Sequence, residues 1–230
     1  MPRSALITGG TGGLGAAVTR TFLDDGWRVV VPLFDAAERD RVPARDGLVL
    51  KQADLFDPGS ATAVTALAAG DPAAPLRAVV NLVGGFAMGG RVHETPVEDF
   101  EAQLRLNLRP TYLVCHAAIE HLRAAGGGSI VCVSSRAAVK PFSGAAGYVV
   151  AKAAILAFVD VLATEYLDDR IRANAVLPSV IDTPANRRSM PGADTERWVT
   201  PDEIAEVVRF LCEDGAGVVS GARVPVYGRA

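Results

Sequence analysis

Short apolar runs alternate with longer helix-like stretches along this 230-residue chain. Most of the runs are continuous and rich in β-branched residues, a pattern typical of strands buried on both faces of a parallel sheet. We therefore predict one doubly wound α/β domain over residues 1–230, with a central, mostly parallel sheet of about seven strands and a ligand site at the carboxyl ends of those strands. The predicted strands are residues 4–8, 27–34, 48–55, 77–83, 129–135, 171–177 and 222–228.

The composition argues against several classes of function. With a net charge of −3 and a pI of about 5.6, the chain gives no reason to expect a nucleic acid or an anionic membrane as a partner. No uninterrupted apolar run reaches the roughly 18–20 residues that span a bilayer, and the N-terminus lacks the apolar region typical of a signal peptide. We expect a cytoplasmic protein.

The cysteines and histidines form no metal-binding pattern. Cys115, Cys132 and Cys212 are odd in number, widely spaced and surrounded by apolar residues, which is typical of buried, reduced thiols. The three histidines lack the HxxH and HExxH spacings that are typical of zinc sites. We therefore expect neither a disulfide nor a bound metal.

Two sequence segments predict where long helices begin. TPVE (95–98) and TPDE (200–203) each place a threonine cap before a proline and set a glutamate three residues after the threonine, as in a capping box. The helix from Thr95 should bend near Pro110, because proline cannot donate to the carbonyl group of Leu106. Further helices are predicted over 13–25 and 60–69.

A glycine cluster separates the first predicted strand from the helix that follows it. Gly10-x-Gly12-x-x-Gly15 matches the general dinucleotide fingerprint, in which glycine lets the backbone approach a pyrophosphate and the helix N-terminus supplies free N–H groups. The pattern alone also fits a glycine-rich turn with a purely structural role.

Tyr148 and Lys152 form a second candidate site. They lie four residues apart on a predicted helix and so share a face. A nearby ammonium would lower the pKa of the phenol from about 10, so that it could exchange protons near neutral pH. Taken alone, the pair also fits an interior tyrosine beside a solvated lysine. Ser135 and its rival Ser134 end the fifth strand, where alternation lets only one of them face the cleft.

These segments resemble the short-chain dehydrogenase/reductase family. Thr8-Gly9-x-x-x-Gly13-x-Gly15 is similar to the family's TGxxxGxG motif. Six more segments follow in the family's order: ADL (53–55), NLVGG (81–85), NLRPTYL from residue 107, SS (134–135), YVVAK (148–152) and LPSVIDT (177–183). Two of them depart from the family pattern: NLVGG departs from NNAG at Leu82 and Val83, and LPS carries Ser179 in place of glycine.

The resemblance implies a three-layer, Rossmann-like fold and an NAD(P)-dependent oxidoreductase that transfers a hydride between nicotinamide and a small carbonyl or alcohol. It implies the catalytic tetrad Asn107, Ser135, Tyr148 and Lys152, and the family's serine-to-tyrosine spacing favours Ser135 over Ser134. Tyr148 would be the general acid/base, Ser135 would position the carbonyl, and Lys152 would also bind the nicotinamide ribose. A water would link Asn107 to the lysine.

The resemblance also implies a set of cofactor contacts, with Asp54 at the adenine and Thr183 at the carboxamide of the nicotinamide. The implied set is Gly9, Thr11, Gly13, Leu14, Gly15, Phe34, Asp35, Asp54, Leu55, Asn81, Val83, Gly84, Tyr148, Lys152, Pro178, Val180, Ile181 and Thr183.

The choice between NAD and NADP depends on the residues after the second strand. An acid there suits the ribose 2′-hydroxyl of NAD, whereas an arginine accommodates the phosphate of NADP. Leu33 and Phe34 stand where the family often carries these groups, and Asp35 follows them. Because Asp35 would repel a phosphate, the balance favours NAD. Arg39 and Arg41 are interpreted as a solvated helix face.

Two further segments bear on the substrate. Residues 182–198 correspond to the family's substrate lid, where Arg187, Arg188 and Arg197 fit either an anionic or acyl-carrier-linked substrate or a solvated loop. Residues 83–90 predict a flexible, apolar cleft wall, similar to dihydropteridine-reductase-like members as much as to oxoacyl reductases. The resemblance also implies a homodimer or homotetramer built through helices near 96–123 and 147–168.

Three alternatives stay open at the level of sequence. The chain could be an oxoacyl-carrier-protein reductase specifically. It could be a catalytically silent dinucleotide-binding sensor or scaffold of the same fold. It could also be an epimerase or dehydratase that acts on nucleotide sugars, which the short chain disfavours.

Overall fold

The computed structural model describes residues 2–229, and its seven strands form one parallel sheet in the order β3-β2-β1-β4-β5-β6-β7. The predicted α/β architecture is therefore confirmed. The direction of winding reverses between β1 and β4, and such a switch point is where open α/β sheets bind ligands. The strands are β1 (Ser4–Thr8), β2 (Arg28–Leu33), β3 (Leu48–Gln52), β4 (Leu76–Asn81), β5 (Gly128–Val133), β6 (Ile171–Pro178) and β7 (Arg223–Val226).

Helices cover both faces of the sheet. They are α1 (Gly15–Asp24), α2 (Pro58–Ala69), α3 (Val97–Ala124), α4 (Ala146–Glu165), α5 (Pro184–Ser189) and α6 (Pro201–Cys212). Neighbouring strand residues point to opposite faces: Leu6 lies in the core under α2, α3 and α4, whereas Ile7 lies in the core under α1 and α6. Both layers are apolar, which explains why the strands are continuous apolar runs.

The two predicted capping boxes have different outcomes. At α6 the prediction is confirmed, because the Thr200 hydroxyl oxygen accepts from the Glu203 N–H and the Glu203 carboxylate accepts from the Thr200 N–H. At α3 it is wrong. The helix begins at Val97 with Pro96 as its N-cap, because the Thr95 hydroxyl donates to carbonyl oxygens of the preceding loop instead.

Helix α3 continues through its proline. Pro110 lies inside the single helix Val97–Ala124, so the helix is not interrupted at this residue, and the bend expected there stays a prediction. The proline is buried, and so are Asn107 and Thr111 beside it. The contacts of Asn107, rather than a break in the helix, bring this part of α3 to the candidate site.

Helix α4 is apolar enough to resemble a membrane-spanning helix. An 18-residue window of this 20-residue helix has a mean hydropathy of 1.9. The sequence prediction did not anticipate this, because Lys152 interrupts the apolar run. Core helices of soluble proteins can have the same length and composition, and α4 packs against β5, β6 and α3. The predicted burial of the three cysteines is confirmed, and all three are unpaired.

Candidate active site

Several glycines at the turn between β1 and α1 have no room for a Cβ. Gly9 has a φ of +66°, and a Cβ at Gly15 would collide with the carbonyl oxygen of Gly9. A Cβ at Gly13 would lie 2.8 Å from Cγ2 of Thr183. Among residues 2–229, no side chain caps the N-terminus of α1, where Leu14 is the N-cap. Free N–H groups beside a close-packed glycine turn fit a pyrophosphate.

The acid that reaches this loop is not the one expected. Asp35 caps the 3-10 turn Ala36–Arg41, since its carboxylate accepts from the Ala37 N–H at 2.9 Å. Glu38, one turn later, places its carboxylate within 3.4 Å of the Thr11 hydroxyl and 3.2 Å of the Phe34 N–H. Sequence analysis passed over Glu38 because the 3-10 turn that returns it to the loop has no clear sequence signal.

The side chain of Lys152 lies beside that of Tyr148. Lys152 is buried, and its Nζ donates to the carbonyl oxygen of Val133 at 3.0 Å. The same Nζ lies 5.9 Å from the centroid of the Tyr148 ring. Ser134 donates to the backbone carbonyl of Lys152 at 2.7 Å, which holds α4 against the end of β5.

Ser135, rather than Ser134, is next to the phenol. Its hydroxyl oxygen accepts from the Ala137 N–H at 3.1 Å, so the hydroxyl proton is free to donate. Burial raises the pKa of Tyr148, and hydrogen bonding with Ser135 lowers it in part. The expectation that the ammonium holds the pKa of this phenol below its ordinary value is therefore wrong, because burial outweighs the polar contacts.

Lys152 itself has a strongly shifted pKa. Burial lowers the pKa of its ammonium group to about 8, because the charged form loses hydration in the interior. The group can therefore gain or lose a proton near neutral pH, which an exposed lysine does not do. The site thus holds a protonated phenol beside a titratable amine.

Asn107 ties α3 to the loop after β4. Its Oδ1 accepts from the Gly85 N–H at 3.1 Å, and its Nδ2 donates to the Gly85 carbonyl oxygen at 3.0 Å. A Cβ at Gly84 would lie 2.6 Å from Oδ1 of Asn107 and 3.0 Å from Nζ of Lys152. Gly84 therefore occupies the gap between two of the predicted catalytic residues.

Two predicted cofactor contacts have side chains that are engaged elsewhere. Asn81 is buried and donates to the Sγ atoms of Cys115 and Cys132 at 3.4 and 3.7 Å, and in this orientation its Oδ1 has no partner within residues 2–229. The Asp54 carboxylate accepts from the Phe56 N–H at 2.9 Å. Their part in any cofactor site would thus involve backbone groups or a rearranged side chain.

The remaining predicted contacts flank the loops at the same edge of the sheet. Thr183 caps α5 by accepting from the Asn186 N–H at 3.2 Å, and Ile181 pairs with Val199. Val83 is half-buried and faces Gly9 across the two loops, where a Cβ on Gly9 would be 3.3 Å from the Val83 nitrogen. Leu55 is buried, Pro178 ends β6, and Val180 accepts from Val199.

An exposed aromatic wall stands beside the phenol. The Phe86 ring packs edge-on against Tyr148 with centroids 5.1 Å apart, and the Phe142 ring lies 6.3 Å from that of Phe86. Both phenylalanines and Met88 are largely exposed. The predicted apolar wall is therefore present. Phe142 was missed because it follows the serine motif in a loop with no periodic pattern.

The arginines of segment 182–198 are partly engaged. Arg187 forms a bidentate pair with Asp182, with N–O distances of 2.5 and 2.8 Å. Arg197 donates to the carbonyl oxygen of Arg229 at 3.0 Å. Arg188 is exposed. Two of the three arginines that fitted either an anionic substrate or a solvated loop thus have partners within the protein.

Comparison with known proteins identifies the family. The sequence model of the family described as enoyl-(acyl carrier protein) reductase matches residues 9–228. Protein FixR of Bradyrhizobium diazoefficiens is 36% identical over 244 residues, which cover 99% of this chain and 86% of FixR. The 2-(R)-hydroxypropyl-CoM dehydrogenase of Xanthobacter autotrophicus is 31% identical over 247 residues, with 99% and 98% coverage.

Solved structures agree with the sequence relatives. An oxidoreductase of the short-chain dehydrogenase/reductase family from Burkholderia thailandensis superposes with a TM-score of 0.87 at 30% identity, covering 99% of this chain and 92% of that one. ElxO with NADP bound has a TM-score of 0.92 at 24% identity, covering 99% and 98%, a likeness of fold. The chain belongs to the short-chain dehydrogenase/reductase family and is an NAD(P)-dependent oxidoreductase.

Proposed function

We propose that the protein interconverts a small, largely apolar ketone or aldehyde and the corresponding alcohol, with Tyr148 as general acid/base. The observation that carries the proposal is the position of Ser135, Tyr148 and Lys152 together at the carboxyl edge of the sheet, at the loop end that also carries the glycine turn. The exposed wall of Phe86 and Phe142 supports an apolar substrate.

Each residue has a separate chemical role. A bound nicotinamide dinucleotide would supply or accept the hydride. The raised pKa of Tyr148 keeps its phenol protonated near neutral pH, which is the form that reduction of a carbonyl needs. Ser135 has a free hydroxyl proton with which to hold the substrate oxygen beside Tyr148. Lys152, with a pKa of about 8, can return a proton to the phenol.

Asn107 is a positioning residue in this scheme. Its hydrogen bonds hold the loop at Gly85, and that loop carries both Gly84 and Phe86. Asn107 therefore helps to place Phe86 relative to the lysine. This role differs from the proton relay through a water that the family resemblance implies, and both depend on the same side chain.

We infer a preference for NAD over NADP, with Glu38 in the role first expected of Asp35. The Glu38 carboxylate lies between Thr11 of the glycine loop and the end of β2, where the ribose of an adenosine would stand in a fold of this kind. A carboxylate there accepts from a 2′-hydroxyl and repels a 2′-phosphate. Its neighbour Arg41 pairs with it at 3.3 Å, so this cation is already directed to Glu38.

The proposed substrate is not attached to an acyl carrier, because Arg187 and Arg197 are engaged within the segment that would have to bind the carrier's phosphate. We further propose a homo-oligomer through α3 and α4, which expose Tyr112, Val150 and Val161.

The unpaired, buried thiols support a reducing compartment such as the cytoplasm.

The test compares Tyr148→Phe with Tyr112→Phe. Oxidation of NADH and NADPH is followed at 340 nm over a panel of aryl and alkyl ketones and aldehydes, and dinucleotide binding is measured separately by fluorescence. We expect Tyr148→Phe to lose about 10²–10⁴-fold in turnover while it binds the dinucleotide as the parent does. Tyr112→Phe, on the exposed side of α3, should keep full activity. Equal turnover by the parent and Tyr148→Phe would show that Tyr148 is not the general acid/base.

A further inference from the structure

A second cleft opens at the opposite edge of the sheet, where the strands begin. It encloses about 510 Å³, within the range of about 300–1,000 Å³ typical of small-molecule sites. Four arginines line it. Arg3 precedes β1, Arg77 lies at the start of β4, and Arg170 and Arg172 flank the first residue of β6. The proposed catalytic residues all lie at the other edge.

The positive charge of this cleft is not neutralised by ion pairs. Within residues 2–229, none of the four guanidinium groups lies within 4.0 Å of a carboxylate oxygen. Asp214 is the acidic residue in the lining, and the carboxylate of Glu213 beside it pairs with Arg209. Four cations therefore face a single carboxylate.

The positive charges of Arg77 and Arg172 repel each other in the cleft. Burial is the main cause that lowers the pKa of Arg172, and the charge of Arg77 adds a smaller lowering. The Cys212 thiol in the same lining is neutral, because burial raises its pKa to about 12. An anion that entered the cleft would relieve this repulsion.

Three of the four arginine side chains are held in place by contacts that leave other N–H groups free. Arg77 donates through Nη1 to the carbonyl oxygen of Ala125 at 2.7 Å. Arg172 donates through Nη1 to the carbonyl oxygens of Leu211 and Val219, at 2.7 and 3.4 Å, and through Nη2 to that of Glu213 at 3.0 Å. The guanidinium carbon of Arg3 lies 4.0 Å from the centroid of an indole ring. Each guanidinium has five N–H donors, so donors remain for a ligand.

We propose that this cleft binds a small anion that carries two or more phosphate or carboxylate groups. Fixed, planar guanidinium groups bind such groups through paired N–H···O bonds, and side chains that are already ordered lose little entropy on binding. More than one anionic group is needed because the four cations enter from three different strands. The enclosed volume fits a metabolite-sized ligand rather than a macromolecular surface.

The test uses pyrophosphate as the probe in titration calorimetry at constant ionic strength. NADH is present at saturation, because the glycine loop can also take a pyrophosphate. We expect the double variant Arg3→Gln/Arg77→Gln to bind at least 10-fold more weakly than the parent. The matched control Arg20→Gln/Arg45→Gln removes the same charge from two exposed arginines and should bind within twofold of the parent.

Tryptophan fluorescence gives a second signal, since Arg3 stacks on the ring of Trp27, one of the two tryptophans of the chain. It should change on titration of the parent and not of the Gln double variant. Should that variant fail to fold by circular dichroism, Arg170→Gln, whose side chain is exposed, replaces it with an expected weakening of at least threefold. Equal weakening in the cleft variant and the control would overturn the proposal, and so would binding that appears only without NADH.

Discussion

The two edges of the sheet use positive charge in opposite ways. At the carboxyl edge a single cation, Lys152, is buried so deeply that its pKa falls to about 8, and it can change charge near neutral pH. At the amino edge four guanidinium groups surround a cleft, and guanidinium groups keep their charge at any pH that the protein meets. One edge is suited to moving protons and the other to holding an anion.

The difference follows from where each side chain starts. Lys152 comes from the middle of α4, inside the packed layer between helix and sheet, and reaches back to the Val133 carbonyl. The arginines come from the starts of strands or the residues just before them and line the cleft, where Arg77 and Arg172 donate to backbone carbonyl oxygens. Burial of the whole side chain, rather than the type of cation alone, makes the lysine titratable.

The largest expected effect comes from Lys152→Met. We expect turnover to fall about 10²–10⁴-fold, while the free energy of unfolding at pH 7 rises by up to about 3 kcal/mol, since each pKa unit is worth about 1.4 kcal/mol. The folded-state pKa lies below the unfolded one, so the unfolded chain binds more protons between about pH 8 and 10.5 and the parent gains stability as pH rises through that window.

Chemical denaturation of the parent and of Lys152→Met at pH 7 and pH 10 checks the direction in which Lys152 changes the free energy of unfolding. The difference in unfolding free energy should shrink at the higher pH. The exposed Lys140→Met is the control and should change neither turnover nor stability. A variant that is less stable than the parent at pH 7 would contradict the burial cost.

The second effect concerns the glycine loop. Gly15→Ala places a Cβ against the Gly9 carbonyl, so the loop must move and its N–H groups lose their alignment. We expect NADH binding to weaken at least ~30-fold and stability to fall by ~1–3 kcal/mol. Gly192→Ala, where a Cβ meets nothing within 4 Å, serves as the control in calorimetry and thermal melting. Unchanged NADH affinity in Gly15→Ala would show that the glycine loop does not contribute to cofactor binding.

A smaller effect is expected at Glu38. Glu38→Gln removes the charge and keeps the size, so NADPH should bind about 10-fold more tightly relative to NADH, an effect of about 1.4 kcal/mol. Asp35→Asn is the matched comparison and should alter the ratio less than twofold, because that carboxylate caps a turn. The ratio of kcat/KM for the two dinucleotides measures both. A larger change in this ratio for Asp35→Asn would indicate that Asp35, as first expected, is the acid that selects NAD.

The smallest effect concerns the aromatic wall. Phe86→Ala should raise KM for an aryl ketone about 3–10-fold, since an aromatic contact contributes about 0.5–1.5 kcal/mol beyond its buried area. The effect on kcat should be slight, because the Tyr148 hydroxyl is retained. Phe210→Ala, at an exposed phenylalanine on α6, controls for the loss of a surface ring. A fall in kcat with unchanged KM would mean that Phe86 orients the phenol instead.

The features that depend on a short stretch of sequence, such as strands and helix faces, were predicted from the sequence. The continuous β-branched runs identified all seven strands, and the four-residue spacing of Tyr148 and Lys152 put both on one helix face. Strand ends were less certain: the predicted strand 129–135 ends at Val133, because the two serines turn their side chains to α4 and to a 3-10 turn.

What could not be predicted depends on contacts between distant parts of the chain. The Thr95 hydroxyl lost its capping role to loop carbonyls, and Glu38 reached the glycine loop through an irregular turn. The pKa of the Tyr148 phenol depends on how deeply the phenol is buried, and the spacing of residues in the sequence carries no information about burial. Arg3, Arg77 and Arg172 lie far apart in sequence and form no motif, so only the sheet brings them together.

The wall residues Phe86, Met88 and Phe142 lie in loops and are mostly exposed, whereas Lys152 and Ser135 are anchored to strand ends. Replacing the former therefore alters little of the core and costs little folding stability. Under the proposed function, exchange of these three residues would alter which substrate is accepted and leave the residues proposed to handle the proton in place.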